Sequence, residues 1–125
     1  PMSRRALGNP PKSLFDEAPR SLWHYKDLLP IRDRSCITSI GEGATPLVDG
    51  PRLAAEFGLS NVMLKYEAAN PTGSFKDRQI AVGISRAREL GKDTVAVVSS
   101  GNVACAASAF AARSGLRAVL FMHGL

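Results

Sequence analysis

The hydrophobic pattern of the chain changes near residue 40. Residues 1–39 are largely polar, show no sustained period and contain prolines at positions 10, 11 and 19. Such a segment is typical of an arm, with one short helix over residues 21–29 that Pro30 stops. From Ile40 onward, apolar runs alternate with helical repeats, so we expect residues 40–125 to form a separate α/β region.

The second region alternates strands with helices. A short helix over residues 51–57 begins at Pro51, and in the first long helix Ile80, Ile84 and Ala87 lie on one stripe. The order strand, helix, strand, helix, strand predicts right-handed crossovers and a parallel, doubly wound α/β sheet with both faces covered. The predicted strands span residues 62–66, 94–99 and 117–122, and the predicted helices between them span residues 75–90 and 103–113.

Composition narrows the class of protein. The chain has 125 residues, of which 45% are hydrophobic, and a net charge of +5, which excludes a disordered or collagen-like chain. No apolar run approaches the roughly 20 residues that span a bilayer, and the scattered lysines and arginines argue against a nucleic-acid partner. Cys36 and Cys105 form no C-x-x-C pair. We therefore expect no zinc site and a reducing, cytoplasmic compartment.

Two loops of the predicted sheet, residues 67–75 and 99–102, lie where ligands bind in α/β folds, beyond the carboxyl ends of strands. In the first, Ser74 and Asp77 have the S-x-x-D spacing of a capping box, which places Lys76 at about the second helical position. The positive end of the helix dipole, with Arg78 nearby, disfavours a charged amine and favours a nucleophilic one. The alternative is an ordinary solvated lysine in the first turn of a helix.

The segment N-P-T-G-S-F-K-D-R at residues 70–78 resembles the cofactor-lysine segment of the fold type II enzymes that use pyridoxal phosphate, and among them the threonine synthase-like family most closely. Three further segments agree in order and spacing. Residues 41–47 resemble the motif G-E-G-x-T-P-L, residues 99–102 resemble S-x-G-N, and residues 22–30 resemble an N-terminal L-W-x-Y…L-L-P arm. The resemblance covers residues 22–125.

The resemblance implies roles for six residues in or next to the two loops. Lys76 carries pyridoxal phosphate as a Schiff base and later transfers protons, Phe75 packs near the cofactor, and Asn102 binds its ring hydroxyl. The cradle for the α-carboxylate of the substrate consists of Ser99, Ser100 and Gly101. An ordinary N-cap of the next helix is the alternative role for Asn102. Roles on the helix surface and in salt bridges are expected for Asp77 and Arg78, and a role in the site is the alternative.

The implied activity is that of a lyase, of which this chain is the N-terminal portion. The full enzyme converts O-phospho-L-homoserine and water to L-threonine and phosphate, and is expected to be a homodimer. The alternatives are another fold type II lyase, such as a serine/threonine dehydratase or a cysteate synthase, and a truncated, non-catalytic interaction module. The cofactor's phosphate loop and the partner of its pyridine nitrogen are expected beyond Leu125, so the 125-residue chain alone is expected to be inactive. Val103 and Gln79 depart from the family pattern.

Overall fold

The computed structural model describes residues 21–124, so the first part of the predicted arm lies outside the described residues. The strands are β1 (Leu47–Asp49), β2 (Met63–Lys65), β3 (Thr94–Val98) and β4 (Arg117–Phe121). The α-helices are α1 (Pro51–Glu56), α2 (Lys76–Glu89) and α3 (Asn102–Ser114). Short 3-10 helices span Leu22–Leu28, Arg34–Cys36 and Glu67–Ala69.

The three predicted α-helices of the second region are confirmed, each to within a residue or two at its ends. Pro51 begins α1, where its missing N–H costs nothing. Gly115 ends α3 in the left-handed conformation, with φ of 73°. The short helix predicted over residues 21–29 is the 3-10 helix Leu22–Leu28. Across the described part of the chain, every helix is too short or too polar to cross a bilayer.

Strands β3 and β4 form the parallel pair that the sequence predicts, joined by α3. Val95 lies opposite Ala118, and Val97 lies opposite Leu120. The crossover helix α3 packs against both strands, and α2 packs against α3. A strand, a helix and a second parallel strand therefore form the central unit of the described fold.

Strand β2 does not join this parallel sheet, so the predicted single doubly wound sheet is wrong for residues 62–66. It pairs antiparallel with β1, a strand that the hydrophobic pattern did not predict. Backbone N–H groups at both ends of the pair complete the ladder: Gly50 donates to Val62, and Tyr66 donates to Pro46. Alternation along the chain shows which elements follow one another, but strand pairing depends on which hydrogen-bonding edges meet.

The parallel pair is covered on one face rather than two within residues 21–124. Val95 and Val97 are partly buried, and Val95 packs against the core. Ala96 and Val98 point to the other face, where Val98 is 85% exposed and Phe121 of β4 is 57% exposed. The continuous apolar run therefore alternates between a packed face and an open one in the described structure.

The core lies between the 3-10 helix at residues 22–28 and the two long helices. Trp23 packs in one cluster with Ala81 and Ile84 of α2 and with Phe110 and Ala111 of α3. Phe110 is fully buried and the alanines are nearly so, which lets the helices approach closely. Part of the predicted arm therefore contributes directly to the packing of the helix that begins with Lys76.

The buried stripe of α2 is shifted from the predicted one. Ile84 is buried as expected, but Ile80 and Ala87 are only partly buried, and Ala81 and Ser85 are buried beside Ile84. Ser85 is in the core because its hydroxyl accepts a hydrogen bond of 2.9 Å from the backbone N–H of Thr38. A backbone N–H from outside the helix thus supplies the hydrogen-bond partner that a polar core residue requires.

Candidate functional site

Lys76 is the first residue of α2 and follows a tight loop that leads from β2. The loop turns at Gly73, whose N–H donates to the carbonyl of Asn70 at 2.8 Å and whose φ of 77° suits glycine. Ser74 is buried, and its hydroxyl accepts from the backbone N–H of Lys76 at 3.1 Å. The loop therefore delivers Lys76 to the N-terminus of a well-packed helix.

The start of α2 differs from the predicted capping box. The Asp77 carboxylate does not bond back to Ser74; it accepts from the backbone N–H of Thr72 at 2.7 Å and from the Thr72 hydroxyl. The helix begins one position later than predicted, so Lys76 is its first residue rather than its second. Asp77, expected on the helix surface, is fully buried. Each of its oxygens has a hydrogen-bond donor, as a buried carboxylate requires.

The side-chain amine of Lys76 lies over the ring of Phe75, with Nζ 4.6 Å from the ring centroid. Lys76 is half-buried and Phe75 is 55% exposed. Among residues 21–124, no hydrogen-bond acceptor and no carboxylate engages Nζ. The structure thus brings together two of the predicted site residues and leaves the amine available to a ligand.

Arg78, two residues after Lys76, forms an ion pair with Glu67 of the preceding loop, as expected for a salt-bridge residue. Its Nε donates to one carboxylate oxygen of Glu67 at 2.8 Å, and a terminal nitrogen donates to the other at 2.9 Å. This two-point geometry is the strong form of an arginine–carboxylate pair. The charge of Arg78 is balanced by Glu67. Arg78 therefore does not supply the unpaired positive charge beside Lys76 that was predicted from the sequence.

The Glu67–Arg78 pair extends into a network that joins three segments of the chain. Thr45 donates to Glu67 at 2.6 Å and accepts from Arg78 at 3.0 Å. Asn70 donates to the Glu67 carboxylate at 3.1 Å, and its own oxygen accepts from the N–H of Gly43 at 3.0 Å. Residues 41–47 are therefore bound to the first turn of the helix that carries Lys76.

The network holds the Glu67 carboxylate in its charged form. Its pKa falls from an ordinary value of 4.5 to about 2, chiefly through the hydrogen bonds from Arg78, while burial opposes the shift and bonds from Thr45 and Asn70 add to it. A carboxylate whose pKa is lower in the folded state than in the unfolded state stabilises the folded protein at pH values above the unfolded-state pKa. That stabilisation is lost as the pH falls from about 4.5 towards 2.

We expect Glu67→Gln to destabilise the protein by about 2 kcal/mol at neutral pH, the usual magnitude for hydrogen bonds to a charged group. The deficit should shrink between pH 4.5 and pH 2, where the wild-type carboxylate is itself neutralised. Urea unfolding across this pH range measures both effects. Glu56→Gln is the matched control, because Glu56 is exposed and has no partner within residues 21–124. A deficit that stays constant with pH would contradict the assignment.

Glu42, inside the G-E-G segment, is a fully buried carboxylate. One of its oxygens accepts from the indole N–H of Trp23 at 2.6 Å, and the other accepts from the Ser39 hydroxyl at 3.0 Å and from the N–H of Ile40 at 2.9 Å. The backbone carbonyl of Glu42 also accepts from the N–H of Leu22 at 2.8 Å. This segment therefore joins the 3-10 helix at residues 22–28 to the network around Glu67.

No role was predicted for Glu42, Glu67 or Asn70, although Glu42 and Asn70 stand inside the quoted motifs. One signal was present: Glu67 is a lone carboxylate directly after a predicted strand, and Arg78 is a basic residue in the first turn of a helix, where a cation is disfavoured. The opposite charges of Glu67 and Arg78 stabilise one another, which makes each residue favourable at its position. For Glu42, two donors, Ser39 and Ile40, lie within three positions, but the third, the Trp23 indole, lies 19 positions away and becomes a partner only in the folded chain.

The second loop connects β3 to α3. The Ser99 hydroxyl accepts from the N–H of Gly101 at 3.2 Å, while Ser100 and Gly101 are exposed. Asn102 is the first residue of α3 and Gly101 is its N-cap, so the alternative role of Asn102 as an N-cap is wrong. The Asn102 side chain is exposed and has no hydrogen-bond partner within residues 21–124.

The two loops that carry the predicted site residues are not bonded to one another. Within the described residues, no hydrogen bond joins the loop before Lys76 to residues 99–102. Both loops precede a helix of the packed α2–α3 pair. Over the same part of the chain, no group of three side chains suited to a metal ion lies together.

Residues 38–124 match the family described as pyridoxal-phosphate dependent enzymes. The chain belongs to this family. It is 44% identical over 101 residues to a threonine synthase of Methanocaldococcus jannaschii, covering 81% of this chain and 25% of that protein. It is 43% identical over 111 residues to a threonine synthase of Methanosarcina acetivorans, covering 89% of this chain and 27% of that one. The chain thus spans about a quarter of the length of the curated relatives it matches.

Membership in the pyridoxal-phosphate dependent enzymes confirms the resemblance carried by the motifs and the predicted cofactor. The residues present fit that cofactor. An amine without an ion-pair partner in the described chain and an exposed aromatic face lie together at Lys76 and Phe75. An aldehyde group can form a Schiff base with such an amine, and an aromatic side chain can pack against the ring of the cofactor.

Proposed function

We propose that Lys76 holds pyridoxal phosphate and that the whole protein is a threonine synthase, which converts O-phospho-L-homoserine and water to L-threonine and phosphate. The Lys76 amine carries the proposal, because it stands at the start of a packed helix, over the Phe75 ring, without a hydrogen-bond or ion-pair partner among residues 21–124. The similarity to proteins named threonine synthase supports the choice of reaction.

In this proposal the chain supplies binding and proton transfer. The cofactor, when bound, withdraws electrons from the substrate so that its protons near the amino group can be removed. Lys76 Nζ accepts and returns these protons, which requires a neutral amine held within hydrogen-bond reach of them. The exposed face of Phe75 provides an apolar surface beside Nζ that limits the access of water on that side.

Residues 99–102 are proposed to bind the polar groups of substrate and cofactor. Ser99, Ser100 and Gly101 would bind the α-carboxylate of the substrate, and Asn102 would donate a hydrogen bond to the ring hydroxyl of the cofactor. The first N–H groups of α3 have no side-chain cap, which leaves donors suited to an anion. The exposed Asn102 amide likewise has its donors available within the described chain.

A non-catalytic interaction module is the alternative function that the assay below distinguishes from the enzyme. If the whole protein is the enzyme, the remaining parts of the cofactor site lie in segments outside these 125 residues. Assembly as a homodimer, a cytoplasmic location and the division into an arm of residues 1–39 and an α/β region of residues 40–125 belong to the same proposal.

The test is an assay of the whole purified protein with O-phospho-L-homoserine, serine and threonine as separate substrates. We expect threonine and phosphate to be released in equal amounts from phosphohomoserine, measured by amino-acid analysis and a phosphate assay. Release of a 2-oxo acid and ammonia from serine or threonine, without turnover of phosphohomoserine, would assign a dehydratase instead. Absence of both turnover and bound cofactor would support the non-catalytic module.

A further inference from the structure

Asp77 is a buried carboxylate to which the proposed function assigns no task. It is fully buried and directly follows Lys76 in α2. Its oxygens accept hydrogen bonds from the N–H of Thr72, at 2.7 Å, and from the Thr72 hydroxyl. No lysine or arginine of residues 21–124 forms an ion pair with it.

The two bonds close a ring of backbone around the candidate site. Thr72 lies on one side of the turn and Asp77 on the other, so the ring encloses Gly73, Ser74, Phe75 and Lys76. Gly73 is already in a left-handed conformation within this ring, and the Ser74 hydroxyl caps the N–H of Lys76. The Thr72–Asp77 contact thus closes the segment that contains Lys76.

Helix capping alone does not account for this arrangement. The N–H of Lys76 already has an acceptor in Ser74, whereas Asp77 accepts from the loop rather than from the free N–H groups of its own helix. Burying a carboxylate is costly unless its hydrogen bonds are complete. The bonds to Thr72 therefore link the helix to the loop across the residue that bears the amine.

We propose that Asp77 is a positioning residue for Lys76, acting through its hydrogen bonds to Thr72. This inference rests on the proposed role of Lys76 as the residue that holds the cofactor. It requires the two hydrogen bonds and not the negative charge. An asparagine could reproduce both bonds, because its amide oxygen can accept from the Thr72 N–H while its NH₂ group donates to the Thr72 oxygen.

Paired substitutions separate the bonds from the charge. Asp77→Ala removes both hydrogen bonds, and Asp77→Asn keeps them without the charge. Thr72→Val removes only the hydroxyl, and Thr72→Ser retains it, so this second pair is informative even if Asp77→Ala fails to fold. Thr38→Val is the matched control elsewhere: Thr38 is buried, and its hydroxyl accepts from Arg88 at 3.2 Å.

Two measurements on the whole protein test the proposal. The first is the rate at which a small acylating reagent modifies Lys76 relative to exposed Lys92, followed by peptide mass spectrometry without cofactor. The second is the concentration of pyridoxal phosphate needed to half-saturate Lys76, read after reduction with borohydride. We expect Asp77→Ala and Thr72→Val to accelerate modification of Lys76 and to weaken capture by roughly tenfold to a hundredfold, since a reacting group displaced by about 1 Å can lose on the order of a hundredfold. Asp77→Asn, Thr72→Ser and Thr38→Val should stay within about twofold of wild type on the same scale.

Two results would overturn the proposal. Asp77→Asn could behave like Asp77→Ala in both measurements, which would assign the effect to charge. Alternatively, folded Asp77→Ala or Thr72→Val could leave both measurements at the wild-type level. If wild-type Lys76 captures no cofactor, the proposed function fails instead, and the modification rates still decide whether Asp77 positions the amine.

Discussion

Replacing Lys76 with alanine is expected to abolish the covalent attachment of pyridoxal phosphate and to reduce turnover of phosphohomoserine by at least about a thousandfold. The variant lacks the amine that lies over the Phe75 ring and that has no hydrogen-bond or ion-pair partner among residues 21–124. Absorbance of the purified protein in the visible range measures attachment, and peptide mapping after borohydride reduction locates it. The fold should be retained, since Nζ makes no stabilising hydrogen bond in the described structure.

Lys92→Ala is the control for this substitution. Lys92 is exposed in the turn after α2, so its loss should change neither cofactor content nor turnover. Loss of attachment in both variants would indicate a general effect on the protein. Retained attachment and full turnover in Lys76→Ala would show that another amine holds the cofactor.

Replacing Gly43 with alanine is expected to destabilise the protein by roughly 3 kcal/mol or more, because strain and overlap act together. Gly43 has a φ of 91°, which is unfavourable for any residue with a Cβ. An added Cβ would also overlap the backbone nitrogen of Leu22 and lie 2.9 Å from the carbonyl carbon of Ser21. Since the Gly43 N–H bonds to Asn70, the displacement should reach the loop before Lys76. Thermal and urea unfolding measure the effect.

Gly41→Ala separates strain from overlap. Gly41 has a similar φ of 98°, but a Cβ there would meet nothing within 4 Å. Its cost should therefore be about 1 kcal/mol, the backbone term alone. Equal destabilisation by the two substitutions would mean that Leu22 and Ser21 can move away, contrary to the tight approach of the 3-10 helix at residues 22–28.

Much of the local structure could be predicted from the sequence. The boundaries of α2 and α3, the strands at residues 94–98 and 117–121, and the motif around Lys76 follow from periodicity and from short segments that fold in a characteristic way. The partner of β2 could not be predicted in this way. The helix–strand order that suggested a single parallel sheet is equally compatible with an antiparallel pair between residues 47–49 and 63–65.

What the sequence by itself determined is the three α-helices, the strands β2, β3 and β4, and the chemical groups at the two loops, because these depend on residues close together along the chain. Only the tertiary structure decided how those groups are held. Glu42 meets Trp23 across 19 positions, and Arg78 meets Thr45 across 33. The burial of Asp77 also depends on packing that no local pattern encodes. Hydrogen bonds between distant residues form only where the fold brings donor and acceptor together out of water, so they become visible once the chain is packed.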